Sequence, residues 1–140
     1  MPSPWLSTRW PMAIAAAKRQ FLEHENLKRE RFNQFTRNRM LAGGVCGIFR
    51  IGGIGVATAR LMHGIGTRVH AINRRGRTDE RVDWIGGPER LNELLEAADV
   101  LLISAPLTRA THGLIGAAEL QRMNADAILV NVDRPGKTIV

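Results

Sequence analysis

VCGIFRIGGIGVATARLMHGIGTRVHAIN, residues 45–73, is the stretch whose reading decides the fold. An apolar run, Val45 to Ile51, breaks into glycines at Gly52, Gly53 and Gly55. Helical character follows from Ile54 to about Met62, Gly64 and Gly66 mark a stop, and a second apolar run, Val69 to Ile72, ends at Asn73. Strand, glycine turn, helix and strand within about thirty residues form a βαβ unit. Glycines between a first strand and a helix make a candidate phosphate cradle, because a backbone without Cβ atoms can approach a pyrophosphate and the helix start offers free N–H groups. The usual spacing is G-x-G-x-x-G. Here that register falls on Arg50, Gly52 and Gly55, so an arginine stands where the first glycine is expected.

Outward from this unit the chain keeps alternating. Leu91, Leu94, Leu95 and Ala98 give one helical face after Pro88 and Glu89. Val100 to Ser104 is a continuous apolar run, as expected of a strand buried on both faces. Ala105, Pro106, Leu107 and Thr108 form the loop at its end. Ala117 to Met123 reads as a short helix, Ala127 to Val132 as another buried strand, and Asp133 to Lys137 as a loop. At least four strands alternating with helices imply an α/β, Rossmann-like parallel sheet covered on both faces, incomplete at the C-terminus. Residues 78–87 read as polar and irregular, anchored by Trp84 and Ile85. In the opposite direction, residues 1–11 read as an irregular leader rich in proline. Residues 12–41 read as a linking helix running from about Pro11 to Arg39, and residues 42–140 as a partial dinucleotide-binding domain.

Composition sets the outer bounds. The 140 residues are 44% hydrophobic and 24% charged, which suits one folded domain with one core. No run of about 18 apolar residues exists, so no membrane span is expected, and prolines and basic residues break up any signal peptide. The one cysteine, Cys46, excludes an internal disulfide and reads as a core residue, with the cytosol as the default compartment. The net charge of +7 is uneven: residues 1–41 carry eight Lys/Arg against three Glu. Such an excess is read as a solvated helix face. Nucleic-acid binding ranks last, since no recognised reader motif accompanies it.

In a parallel sheet of this kind, ligands gather beyond the C-terminal strand ends. The glycine turn, the turn at Asn73, the Pro106 loop and the Arg134 loop all belong there. The second strand of a dinucleotide fold usually ends in an acidic residue that binds the adenosine ribose; an arginine nearby instead accommodates a 2′-phosphate. Asn73 followed by Arg74, Arg75 and Arg77 therefore points to NADP(H) over NAD(H), against the plainer reading of a solvated basic turn. Arg50 has two readings. It is a cation at the pyrophosphate, or it fills the cofactor's space and weakens binding, and the weakened site is the one expected. Arg134 lies beyond a strand end, facing a substrate carboxylate or simply solvent. His24, His63, His70 and His112 lack metal-ligand spacing.

Three segments together resemble one family. LAGGVCGIFRIGGIG, SAPLTRATHGLIGAAEL and MNADAILVNVDRPG are similar to segments of the dinucleotide-binding domain of the D-isomer-specific 2-hydroxyacid dehydrogenases, over roughly residues 41–140. The resemblance implies NAD(P)-dependent hydride transfer between a small 2-hydroxy acid and a 2-keto acid. It implies Gly52, Gly53, Ile54 and Gly55 at the pyrophosphate, Asn73 and Arg74 at the adenosine ribose, and Ala105, Pro106 and Leu107 beside the nicotinamide ribose. It also implies Arg134 on the substrate carboxylate, and a homodimer contacted by the N-terminal helix. This sequence departs from the family pattern at Arg50, Asp133 and Pro135. The family's catalytic Glu and His follow the segment matched here, so little turnover is expected from these 140 residues alone. The alternative expectation is a dinucleotide-binding fragment without turnover.

Overall fold

The structure is a computed structural model that describes residues 4–29, 40–105, 108–109 and 111–132. The chain enters through two helices, α1 (Pro4–Ala17) and α2 (Gln20–Lys28). The glycine-turn unit follows as β1 (Val45–Phe49), α3 (Gly53–Gly64) and β2 (Arg68–Ile72). Then come β3 (Trp84–Gly86), a single 3-10 turn at Pro88–Arg90, and α4 (Leu91–Ala97). β4 (Val100–Ile103), α5 (Ala117–Arg122) and β5 (Ile128–Asn131) complete the described elements.

All five strands are parallel, in the order β3-β2-β1-β4-β5. The chain works outward from β1 to β3, then crosses back to lay β4 on the other side of β1. The loops after β1 and β4 therefore leave the sheet in opposite directions, and a crevice opens between them at the C-terminal edge.

The two faces of β1 explain the layers. All five of its residues are buried, as the apolar run requires of a central strand. Cys46 and Ile48 pack toward Ala59 and Met62 of α3 and Ala13 of α1. Phe49 packs on the opposite face with Leu91, Leu94 and Leu95 of α4. Gly47 sits there too: a Cβ at this position would lie 3.0 Å from Ala98, 3.1 Å from Leu101 and 3.2 Å from Leu94. Glycine at 47 thus lets α4 settle close against the centre of the sheet. The Rossmann-like α/β architecture expected from the sequence is the one observed.

Three local expectations are corrected. Residues 4–11 are helical, not an irregular leader. Pro4 occupies the first turn, where a missing N–H costs nothing, and Pro11 inside α1 removes one backbone hydrogen bond without ending the helix. The linking helix is not continuous: it breaks at Arg19, which adopts left-handed φ 51° and ψ 32°, and α2 ends at Lys28. The remainder of that helix, from 30 to 39, lies outside the described residues. Finally, residues 84–86 form a fifth strand. Three residues are too few to show a period-2 pattern, and β3 is held by pairing with β2 and by Asp83. The Asp83 N–H donates to Val69 O at 2.8 Å, and its Oδ2 accepts the Val69 N–H at 2.7 Å.

Candidate cofactor site

The turn after β1 is built around Arg50. Its φ of 70° lies in the left-handed region that usually selects glycine, so the backbone keeps the path that a first fingerprint glycine would give it. Two contacts hold this conformation. The Ser104 hydroxyl donates to Arg50 O at 2.8 Å, and the Ile51 N–H donates to Ile72 O at 3.1 Å. Ser104 follows β4, so its hydroxyl ties together the two loops that flank the crevice.

Gly52 and Gly53 start α3 with nothing within 4 Å of where a Cβ would stand. Gly55, two residues on, has no such space. A Cβ there would meet Ile48 Cγ2 at 3.0 Å, Arg50 O at 3.3 Å and Ile51 Cγ1 at 3.4 Å. The three glycines divide the work expected of the fingerprint: two leave the approach open, and one lets helix and strand touch. The turn's backbone therefore fits a pyrophosphate. Ile54 is half-buried against the α3-side core, so it contributes packing.

At the end of β2, Asn73 shapes a second turn. Its Nδ2 donates to Arg77 O at 2.7 Å, and its Oδ1 accepts the Arg75 N–H at 3.0 Å. With both ends of the amide engaged, Asn73 organises the loop that carries Arg74, Arg75 and Arg77. Gly76, at φ 61°, completes the turn. All three arginine side chains are exposed. Among the described residues none of them, nor Arg50, has a hydrogen-bond or ion-pair partner for its guanidinium.

Two cavities meet over these turns. One, of about 680 Å³, is bounded by Arg50, Gly52, Asn73, Arg74, Arg75 and Arg77, with Asp79 as its single carboxylate. The other, of about 400 Å³, has an apolar wall of Phe49, Ile72, Pro88 and Leu114 and a cationic rim of Arg50, Arg74 and Arg109. Arg50, Asn73 and Arg74 line both. Sequence reasoning named six of the residues brought together here: Arg50, Gly52, Asn73, Arg74, Arg75 and Arg77. It missed Arg109, Thr111 and Leu114 as wall residues. The available signal was topological: they lie in the long connection after β4, at the same sheet edge as the glycine turn. Ala105 is buried in the α4-side core at the end of β4. Pro106, Leu107 and Arg134 lie outside the described residues.

None of the four histidines is among the residues lining these cavities. His63 Nε2 is 2.9 Å from Asp83 Oδ2, so this pair links the end of α3 to the start of β3. The Val69 N–H, then His63, hold the Asp83 carboxyl below the usual carboxylate range. His70 stacks on Trp84 with ring centroids 5.7 Å apart, while Arg90 covers the same indole at 4.5 Å. Burial, with Arg68 nearby, lowers the pKa of His70. His24 and His112 are exposed. Burial pushes the Cys46 thiol up to about 12, which removes it as a nucleophile at neutral pH.

The sequence profile described as "D-isomer specific 2-hydroxyacid dehydrogenase, NAD binding domain" matches residues 10–139. The chain belongs to this family. The glyoxylate reductase of Thermococcus gammatolerans is 36% identical over 97 residues, which is 69% of this chain and 29% of that protein. The 2-hydroxyacid dehydrogenase A of Aspergillus oryzae is 36% identical over 98 residues, 70% of this chain and 28% of that one. Among solved structures, the glycerate dehydrogenase related protein of Thermoplasma acidophilum superposes with a TM-score of 0.85 at 30% identity, covering 97% of this chain and 47% of that chain. The chain thus spans under a third of the curated dehydrogenases it matches and about half of the solved one. Within this family the domain is the one that binds the nicotinamide dinucleotide. No helix among the described residues is long and apolar enough to cross a membrane.

Proposed function

We propose that this domain holds NADP(H) in preference to NAD(H) and serves an oxidoreductase that interconverts a small 2-hydroxy acid and its 2-keto acid. The observation that carries the cofactor preference is the larger cavity at the end of β2. It presents Arg74, Arg75 and Arg77, and the residue at the ribose position is a neutral Asn73 whose amide is already used by its own turn. A ribose diol is ordinarily held there by a carboxylate; exposed guanidiniums instead suit a 2′-phosphate. Gly52 and Gly53 receive the pyrophosphate, and the apolar wall of Phe49, Ile72 and Leu114 receives the adenine. The bound nicotinamide supplies the hydride. Arg134, in the DRPG segment, orients the substrate carboxylate, and this assignment rests on the resemblance of that motif. The names of the curated relatives, glyoxylate reductase and 2-hydroxyacid dehydrogenase, support the substrate class.

The test is a calorimetric titration of the parent chain and of the R74S/R75S variant with NADPH and NADH. Loss of two charge-assisted contacts should weaken NADPH by roughly tenfold to a hundredfold and leave NADH within about twofold. An equal loss for both cofactors would remove the 2′-phosphate assignment.

A further inference from the structure

The fingerprint's first glycine is replaced by a cation, and the structure shows where that cation stands. Arg50 keeps the left-handed backbone, fixed through its carbonyl by Ser104, so the substitution has not rerouted the turn. Its side chain is half-buried in the wall shared by the two cavities and has no partner among the described residues. Arg74 lines the same two cavities from the β2 side, and Arg109 adds a third guanidinium at the rim of the smaller one. Unpaired guanidiniums lining a largely apolar slot suit a flat base that carries phosphates on its ribose.

We propose that Arg50 is a phosphate ligand, and that it makes the adenosine half of the site self-sufficient. The ligand class is an adenosine 2′,5′-bisphosphate, free or as part of a larger nucleotide. Arg50 takes the 5′-phosphate that the backbone turn would otherwise hold by N–H groups alone, and Arg74 takes the 2′-phosphate. Affinity then follows the number of phosphates on the adenosine more than the presence of a nicotinamide. The inference rests on the 2′-phosphate reading given above, and reverses the weakened site expected from the sequence.

Calorimetry of the 140-residue chain and its R50G and R50K variants tests it, with adenosine 2′,5′-bisphosphate, NADPH, NADH and AMP as ligands. Glycine suits the left-handed position, so R50G retains the fold, and thermal unfolding of each variant checks this. The parent chain should bind adenosine 2′,5′-bisphosphate within about tenfold of NADPH. R50G should weaken both by roughly tenfold or more, R50K should lie between, and raising the salt should cost the parent more than R50G. R50G that binds as tightly as the parent, or more tightly, overturns the role of Arg50 while the cofactor reading stands. Adenosine 2′,5′-bisphosphate binding a hundredfold or more below NADPH overturns the self-sufficient half-site. Failure of the parent and R50G alike to bind any of the four ligands overturns both readings.

Discussion

Two glycines two residues apart in the α3 turn should respond to alanine in opposite ways. At Gly55 the new Cβ would stand 3.0 Å from Ile48 Cγ2 and 3.3 Å from Arg50 O. Neither neighbour yields easily: Ile48 is fully buried in the central strand, and the Arg50 carbonyl is pinned by Ser104. Overpacking of this kind costs about 1–3 kcal/mol. Alanine recovers up to about 1 kcal/mol of helix propensity. G55A should therefore lose about 1–2 kcal/mol, a fall in Tm of roughly 3–6 °C for a domain of this size. At Gly53 the space is open, so G53A should leave Tm unchanged or slightly raised. Its methyl group would instead occupy the approach to the turn, and NADPH affinity should fall by about tenfold or more. The assays are thermal unfolding followed by circular dichroism, and calorimetric titration of the same samples. G55A as stable as the parent would refute the helix–strand contact. G53A with unchanged affinity would refute the open turn as the pyrophosphate cradle.

Three other outcomes follow from the same geometry. Ser104→Ala removes the hydroxyl from Arg50 O and should cost about 0.5–1.5 kcal/mol by thermal or urea unfolding, with less loss when Arg50 is already glycine. Asp83 has a carboxyl whose pKa is lowered in the folded state, first by the Val69 N–H and then by His63. That contribution is present above the ordinary carboxylate pKa of about 4 and lost as pH falls through and below it. D83N should therefore flatten the fall of Tm between about pH 5 and pH 3. The effect should be under about 1 kcal/mol, because the side chain is 43% exposed; an unchanged acid limb would contradict the pairing. Cys46, with its thiol pushed up to about 12, should react with a disulfide reagent at pH 8 on the order of a thousandfold more slowly than a free thiol, and at a normal rate in denaturant. Fast labelling of the native chain would contradict its burial.

Much of the fold was legible because the signals were local. The apolar runs at 45–51, 69–72, 100–104 and 127–132 each became a parallel strand, with ends shifted by a few residues. β3 was illegible, since three residues offer no period and its place is fixed by pairing and by a side chain, Asp83, outside the strand. The break at Arg19 was equally hidden: a left-handed non-glycine residue inside a helical stretch has no compositional mark. At the site, glycine spacing located the turn, and the run after Asn73 located the arginines. Sequence did not reveal that the amide of Asn73 is consumed by its own loop. Nor did it show that a side chain at 50 could keep the glycine's backbone, because that depends on Ser104, 54 residues away.

The most direct test of the account is a parallel titration of the folded 140-residue chain with NADPH and NADH at one salt concentration. The account predicts saturable binding of both, with NADPH tighter by about tenfold or more. Absence of binding by either, in a chain that circular dichroism shows to be folded, would contradict it, as would tighter binding of NADH.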